Sequence, residues 1–302
     1  MVTIGVVADA DTAPPEAGLL ARAPSGGLVL GAVASVQFGS ALAATLFATL
    51  GPAGAVFLRL LSGAIILLAL WRPRVRGRGR RELLLAGIFG LDLAGMNLSF
   101  YEALHRIPLG IAVAIEFVGP LMVAVAGSRR RLDLVWVALA ASGILALTRG
   151  SAHGLDGLGI ALALGAGCLW GLYILLNAQV GRAFEGSMGL TLAMCVAALA
   201  VLPAGIAGGG SHLLDPASLA IGSAVGILSS VIPYSFEVEA LRRIAVHVFG
   251  VLMSLEPAVA ALAGFVVLGQ GLTPRALLGI ALVVTASLGA SRGGAPAGVA
   301  VQ

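Results

Sequence analysis

Two stretches of the sequence place a glutamate close to a proline inside an apolar run: Ile-Glu-Phe-Val-Gly-Pro-Leu (115–121) and Met-Ser-Leu-Glu-Pro-Ala (253–258). An ionised carboxylate near the middle of a bilayer is costly, so such residues usually face a cavity or a pathway. Proline has no N–H, so Pro120 leaves the carbonyl of Glu116 without its helical donor, and Pro257 does the same for Met253. Backbone groups released at this depth need protein or a wet cavity around them. The pattern occurs in both halves of the chain, which is typical of transporters.

The composition is that of an integral membrane protein. Of the 302 residues, 59% are hydrophobic and 11% are charged, and the mean hydropathy is +1.04, whereas soluble domains have about 25% charged residues. All 18 basic residues are arginine, which excludes a Walker-type P-loop because that motif requires lysine. The net charge of +4 does not indicate nucleic-acid binding, since the arginines cluster at the ends of apolar runs. Cys168 and Cys195 lie in apolar runs and predict no disulfide. The 4 histidines have no metal-ligand spacing, so neither a metal site nor a cofactor is expected.

The apolar runs predict ten membrane-spanning helices, because a span takes about 20 mostly apolar residues. The runs cover residues 28–50, 54–71, 83–104, 108–127, 132–148, 157–178, 188–208, 217–239, 246–268 and 275–291. Arginine placement predicts their orientation, since positive charge concentrates on the cytoplasmic side. With the N-terminus inside, the outer segments contain only Arg106, Arg149 and Arg275, while most other arginines are cytoplasmic. The prediction is an all-α integral membrane protein, N-in and C-in.

An internal repeat follows from shifting the sequence by 137 positions, which superimposes the third and fourth spans on the eighth and ninth. Glu-Ala-Leu at 102–104 then meets Glu-Ala-Leu at 239–241, and Pro120 meets Pro257. Each half contains five predicted spans, an odd number, so the halves are expected to have opposite orientations, as in many secondary transporters. The predicted divisions are a disordered cytoplasmic tail (1–27), two five-helix repeats (28–148 and 157–291) and a second cytoplasmic tail (292–302).

Several motifs resemble a known family. They are Tyr-Glu-Ala-Leu-His-Arg-Ile-Pro-Leu-Gly (101–110), Glu-Phe-Val-Gly-Pro-Leu (116–121), Gly-Ser-Arg-Arg-Arg (127–131), Ile-Pro-Tyr-Ser-Phe-Glu (232–237) and Val-Leu-Met-Ser-Leu-Glu-Pro-Ala-Val-Ala-Ala-Leu (251–262). These motifs are similar to the EamA-type drug/metabolite transporter superfamily, and most similar to its threonine/homoserine exporters. The resemblance implies two inverted five-helix repeats, a pathway walled by the third, fourth, eighth and ninth helices, and efflux of amino acids or related metabolites. Family members often have Leu-Gly-Glu where this chain has Leu-Gly-Gln (268–270), which leaves no carboxylate at Gln270.

The strongest pathway candidates are Glu116 and Glu256, which approach the membrane centre from opposite sides. The alternative is that each is a protonated acid bonded to a neighbouring helix. On the third span, Asp92, Gly95, Ser99 and Glu102 share a helical face, and Asp92 and Ser99 are candidate pathway residues. Arg59 is expected to be structural, either paired with Asp92 or extended to the outer interface.

The eighth span contributes a further face of polar candidates. Ser230, Pro233, Tyr234 and Glu237 share this face, and Pro233 again interrupts the helical hydrogen bonds. Glu237 lies near the cytoplasmic end and is a candidate for lining the inner mouth. Glu239 is expected to form a surface ion pair with the arginines that follow it.

The predicted function is secondary active export of small zwitterionic metabolites, such as the amino acids threonine and homoserine, across the bacterial cytoplasmic (inner) membrane. The substrate ammonium would meet Glu116 or Glu256, and its carboxylate would meet helix N-termini, Tyr234 or serines. The expected partners are the substrate, membrane lipid, and a proton or counter-substrate; the oligomeric state is left open. A first alternative is broader efflux of drugs, nucleobases or quaternary amines, against which the aromatic content of 5% argues. A second is a membrane-embedded lipid enzyme, for which the sequence contains no G-x-S-x-G or H-E-x-x-H motif.

Overall fold

The structure is a computed structural model that describes residues 24–71, 77–126, 132–148, 156–184, 187–241, 252–271 and 273–293, together with 243 and 249. The helices are α1 (Ser25–Ala44), α2 (Phe47–Trp71), α3 (Arg80–Leu104), α4 (Leu109–Glu116), α5 (Val118–Ala126), α6 (Leu132–Thr148), α7 (Gly157–Ala183), α8 (Met188–Gly209), α9 (Pro216–Gly226), α10 (Ile232–Leu241), α11 (Glu256–Leu268) and α12 (Pro274–Gly293). Helices α1, α2, α3, α7 and α8 are long and apolar enough to cross a membrane, and the other apolar helices are shorter. The prediction of an all-helical integral membrane protein is confirmed. Apart from their edges at 24–27 and 292–293, the predicted tails lie outside the described residues.

The first connection differs from the predicted boundary. The first span was expected to continue to residue 50, but α1 ends at Ala44, where the N–H groups of Thr45 and Leu46 donate to the carbonyls of Leu42 and Ala43. Gly51 then adopts a φ of +65° inside α2, a conformation that glycine accepts without steric cost. Pro52 follows directly, so α2 is kinked at this point.

Three of the predicted spans are broken beside their prolines. The fourth span divides at Phe117, between α4 and α5, three residues before Pro120. The eighth contains a π-helical turn (Ile227–Val231) just before Pro233, and the ninth turns at residues 254–255 before α11 begins with Glu256 and Pro257. The missing proline N–H explains why regular α-helical hydrogen bonding is interrupted at each point. The broken segments lie at the centre of the protein, since all eight residues of α4 are buried.

Small residues set the distances between the helices. A Cβ atom at Gly167 in α7 would lie 2.5 Å from the carbonyl oxygen of Glu116, and one at Gly222 would lie 2.7 Å from Cβ of Leu58 in α2. A Cβ at Gly110 in α4 would lie 2.7 Å from Cα of Ala261 in α11. Helices in lipid associate largely through such close packing, so these glycines allow the backbone contacts that enclose the site.

The principal packing partners pair the first half of the chain with the second. Helix α1 packs against α10 and α11, α2 against α8, α3 against α7 and α8, α4 against α11, and α6 against α12. An ion pair also joins the two halves of the chain, since Arg106 Nη1 lies 3.2 Å from Asp156 Oδ2. Asp156 also caps α7 by accepting from the N–H groups of Leu158 and Gly159. The halves of the chain are therefore interleaved, with the centre of the protein formed by residues from both.

Candidate functional site

A cavity of about 160 Å³ lies at the centre, where the broken helices meet. Its apolar wall includes Val113, Trp170 and Met253. Its polar wall draws on both halves of the chain, from Gln37, Ser40, Arg59, Asn97, Glu116, Ser229, Glu237 and Glu256. Within the described residues this wall combines three carboxyl groups with a single guanidinium, a charge pattern suited to a small ligand that carries both signs.

Glu116 and Glu256 each lie at a helix end and line this cavity. Glu116 is the last residue of α4 and is 8% exposed, and Glu256 is the first residue of α11 and is 5% exposed. The backbone beside Glu116 packs closely against Gly167 of α7. A helix break lets each side chain leave the helix end toward the cavity while the surrounding backbone stays packed. Both glutamates line the cavity, and their role in a substrate pathway stays a prediction.

Arg59 also lines the cavity, which differs from its predicted structural pairing. Its Nη1 donates to the hydroxyl of Tyr101 at 3.1 Å and its Nη2 donates to the carbonyl of Ser229 at 3.3 Å. The guanidinium carbon lies 5.5 Å from the centre of the Tyr101 ring. The expected partner, Asp92, has no hydrogen-bond partner at either carboxyl oxygen among the described residues. Arg59 therefore neither pairs with Asp92 nor extends to the outer interface.

The π-helical turn explains why a carbonyl is available to Arg59. Ile232 donates its N–H to Ile227, five residues earlier, instead of to Leu228. The carbonyl of Leu228 accepts instead from Ser35 Oγ of α1 at 2.6 Å. Pro233 has no N–H to offer Ser229, whose carbonyl accepts from Arg59. Side chains from two other helices thus use the carbonyls that the turn and the proline release.

The face of α3 that meets the cavity is not the predicted one. Met96, Asn97 and Phe100 line the cavity, whereas Asp92 and Ser99 do not. The lining face is rotated by about a third of a turn from the predicted face. Gly95, at the centre of the predicted face, is directed at α7, since a Cβ there would lie 3.3 Å from Cδ1 of Leu169. Periodicity identified a polar face, but helix packing decided which side faces the cavity.

The eighth span is also shifted by one residue from the prediction. Pro233 and Glu237 line the cavity, but Ser229 takes the place expected for Ser230. Ser230 instead faces α2, where a Cβ at Gly63 would lie 3.4 Å from Ser230 Oγ. The extra residue in a π turn accounts for the shift. The side chain of Tyr234 lies outside the described residues.

Two lining residues of α1 were not among the predicted candidates. Gln37 and Ser40 are 3% and 1% exposed, and both line the cavity. Their spacing of three residues on one helical face, inside an otherwise apolar run, is the sequence signal that identifies them. Gln37 Oε1 and Ser229 Oγ are buried and have no hydrogen-bond partner within the described part of the chain. Neither atom is exposed to the cavity, and Ser229 Oγ packs against Gly39 of α1.

Comparison with known proteins identifies the family. Residues 157–292 match the EamA-like transporter family. The threonine/homoserine exporter RhtA of Escherichia coli (strain K12) is 43% identical over 268 residues, which cover 87% of this chain and 90% of that protein. RhtA of Salmonella typhimurium (strain LT2) is 41% identical over the same shares. This chain belongs to the EamA-like transporter family.

Membership of the EamA-like family confirms the resemblance noted in the motifs. It also confirms the prediction of a transporter over that of a membrane-embedded enzyme, because the relatives that match both halves of the chain are exporters. A solved crystal structure of a protein 18% identical to this chain superimposes with a TM-score of 0.59, covering 89% of this chain and 97% of the other. At that identity, the likeness establishes a shared fold.

Proposed function

We propose that this EamA-like transporter exports threonine, homoserine or closely related amino acids across the bacterial inner membrane by alternating access. The observation that carries the proposal is that the buried residues Glu116 and Glu256, from different halves of the sequence, line one cavity. An amino acid brings an ammonium group that a carboxylate binds through charge-assisted hydrogen bonds. Identity to named threonine/homoserine exporters along 87% of the chain supports the same substrate class.

The size of the cavity favours amino acids over the alternative of broad drug efflux. Pockets that hold drug-sized ligands are about 300–1,000 Å³, and this one is about 160 Å³. Two of the aromatic rings in its wall also contact other aromatic rings. Trp170 packs edge-on against Phe117 with ring centroids 5.3 Å apart, and Tyr173 packs on Phe89 at the same distance. Because both rings already pack against other rings, they do not form an open aromatic cage for a large cation.

We also propose that the chain forms ten spans, with residues 28–148 and 157–291 as inverted repeats and both termini in the cytoplasm. The helix pairing supports this arrangement. When each span is exchanged for its counterpart five spans away, the α3–α7 pair becomes the α10–α1 pair, and α2–α8 and α4–α11 map onto themselves. Such exchange is expected when two halves are related by a pseudo-two-fold axis. The arginine distribution supports the orientation.

The proposed energy source is a gradient of protons or of a counter-substrate across the membrane. Glu116, Glu237 and Glu256 line the same cavity as Arg59, so ionised carboxylates there would repel one another while the guanidinium attracts them. Three carboxyl groups around one guanidinium require added positive charge, which a substrate ammonium or a proton supplies. Exchange of one for the other, as the two repeats rock against each other, couples export to proton entry.

The experiment that tests the proposal is counterflow of labelled threonine in proteoliposomes containing the purified protein. Glu116→Gln and Glu256→Gln should each reduce transport by about 10- to 100-fold, because a hydrogen bond to a charged group contributes about 1.5–3 kcal/mol. Glu82→Gln is the matched control, since Glu82 lies at the exposed start of α3, where it accepts from the N–H of Gly79. Unchanged transport in both cavity variants would reject the carboxylate mechanism. Absence of threonine counterflow in the unmodified protein would reject the substrate.

A further inference from the structure

Arg59 is the cationic side chain of the cavity wall within the described part of the chain. Its position is fixed by contacts on two sides. Tyr101, which is fully buried, accepts one hydrogen bond from it, and the carbonyl of Ser229 accepts another. These contacts join α2 to α3 and to the π-helical turn. A side chain held on two sides loses little freedom when it binds a ligand.

The guanidinium retains unused donors. An arginine has five N–H donors in a rigid fork, and the two hydrogen bonds above use one each on Nη1 and Nη2. The Nε atom is buried and has no hydrogen-bond partner among the described residues. The Nε–H and the adjacent Nη N–H of an arginine lie parallel, and this pair can bind both oxygens of a carboxylate. A buried donor left without an acceptor is costly, so a change in conformation that brings Nε into contact with a ligand oxygen would be favoured.

We propose that Arg59 binds the α-carboxylate of the transported amino acid, while Glu116 and Glu256 bind its ammonium group. This inference rests on the proposed function and specifies how the site recognises its substrate. It assigns the carboxylate to a different group from those suggested by the sequence, namely helix N-termini, Tyr234 or serines. Lysine could not substitute fully, because an ammonium group lacks the planar fork.

The assignment makes Arg59 a specificity-determining residue. An amine without a carboxylate would meet the glutamates but would leave the free Nε–H of Arg59 unpaired. The transporter should therefore discriminate between threonine and threoninamide, in which a neutral carboxamide replaces the carboxylate. A hydrogen-bonded pair of opposite charges contributes about 10- to 100-fold in affinity.

The test measures dissociation constants of threonine and threoninamide for the purified full-length protein, from the rise in unfolding temperature with ligand concentration. In the unmodified protein, threonine should bind about 10- to 100-fold more tightly than threoninamide. In Arg59→Gln, the affinity for threonine should fall until the ratio approaches 1, with threoninamide little changed. Arg59→Lys, which keeps the positive charge, should give an intermediate ratio. This variant replaces Arg59→Gln in the test if the glutamine variant does not fold.

The ratio separates recognition from a structural role. Replacing a residue that only supports the cavity would weaken the binding of both ligands equally. If both variants had the same ratio of threoninamide to threonine dissociation constants as the unmodified protein, the assignment would be overturned. Threonine counterflow by the unmodified protein tests the proposed function separately. Normal counterflow with an unchanged ratio would reject the role of Arg59 alone, whereas no counterflow and no threonine binding would reject both.

Discussion

Replacement of Gly167 by alanine tests whether the contact between α7 and the end of α4 holds Glu116 in place. The new Cβ would lie 2.5 Å from the carbonyl oxygen of Glu116, and 3.2 and 3.3 Å from its carbonyl carbon and Cα. Non-bonded carbon contacts are most favourable at about 3.5–4.0 Å. The neighbouring backbone must therefore retreat by about 1 Å. Overpacking of this kind costs about 1–3 kcal/mol, so Gly167→Ala should lower the free energy of unfolding by that amount and displace Glu116.

The assay is chemical or thermal unfolding of the purified protein in detergent, with threonine counterflow as the second measurement. Gly165→Ala is the matched control because it lies in the same helix and a Cβ there meets nothing within 4 Å. Relief of the helix cost of glycine should leave that variant unchanged or stabilised by up to about 1 kcal/mol. Equal stability of the two variants would refute the close contact. Normal counterflow by a destabilised Gly167→Ala protein would refute the link between this contact and the position of Glu116.

Two further predictions concern the polar contacts at the helix ends. Gln270 Oε1 accepts from the N–H of Leu109 at 3.0 Å. Gln270→Leu should therefore destabilise the protein by about 0.5–2 kcal/mol, the usual cost of removing a helix cap, whereas Gln270→Glu keeps an acceptor and should not destabilise it. A Gln270→Leu protein as stable as the original would contradict this prediction. The N–H of Gly159, with help from Leu158 and Arg106, holds the pKa of Asp156 below its usual value. A carboxyl group with a lowered folded-state pKa stabilises the protein above its unfolded pKa of about 3.9 and loses that contribution as the pH falls through the folded value. Asp156→Ala should therefore lower the unfolding temperature at pH 7, and its difference from the original protein should shrink as the pH falls below the unfolded pKa of about 3.9; a constant difference would argue against the cap.

The helix breaks could be predicted from the sequence because their cause is local. A proline removes one N–H from its own helix wherever that helix lies, so Pro120, Pro233 and Pro257 mark places where helical hydrogen bonding changes, although Pro203 lies inside the continuous helix α8. The cost of burying a carboxylate is equally a property of the residue and its apolar surroundings. For this reason the sequence alone singles out Glu116 and Glu256 as candidate pathway residues.

Periodicity alone could not predict which faces of α3 and of the eighth predicted span line the cavity. Gly95 allows α3 to approach α7, which turns Asn97 to the cavity in place of Ser99. The π-helical turn adds one residue, which brings Ser229 to the position expected for Ser230. Rotating a helix by about a third of a turn, or shifting its register by one residue, changes which side chains line the cavity. Both the rotation and the register depend on contacts between helices that are distant in sequence.

The sequence by itself determined that this protein is a helical membrane transporter with carboxylates beside broken helices, because hydropathy, charge and the missing proline N–H act within short segments. Only the tertiary structure decided what accompanies those carboxylates. Arg59 was expected to be structural, and it reaches the cavity because Tyr101 and Ser229, 42 and 170 residues away in sequence, accept its hydrogen bonds. Such contacts depend on the distances and rotations of packed helices, which the order of residues along any one helix does not specify.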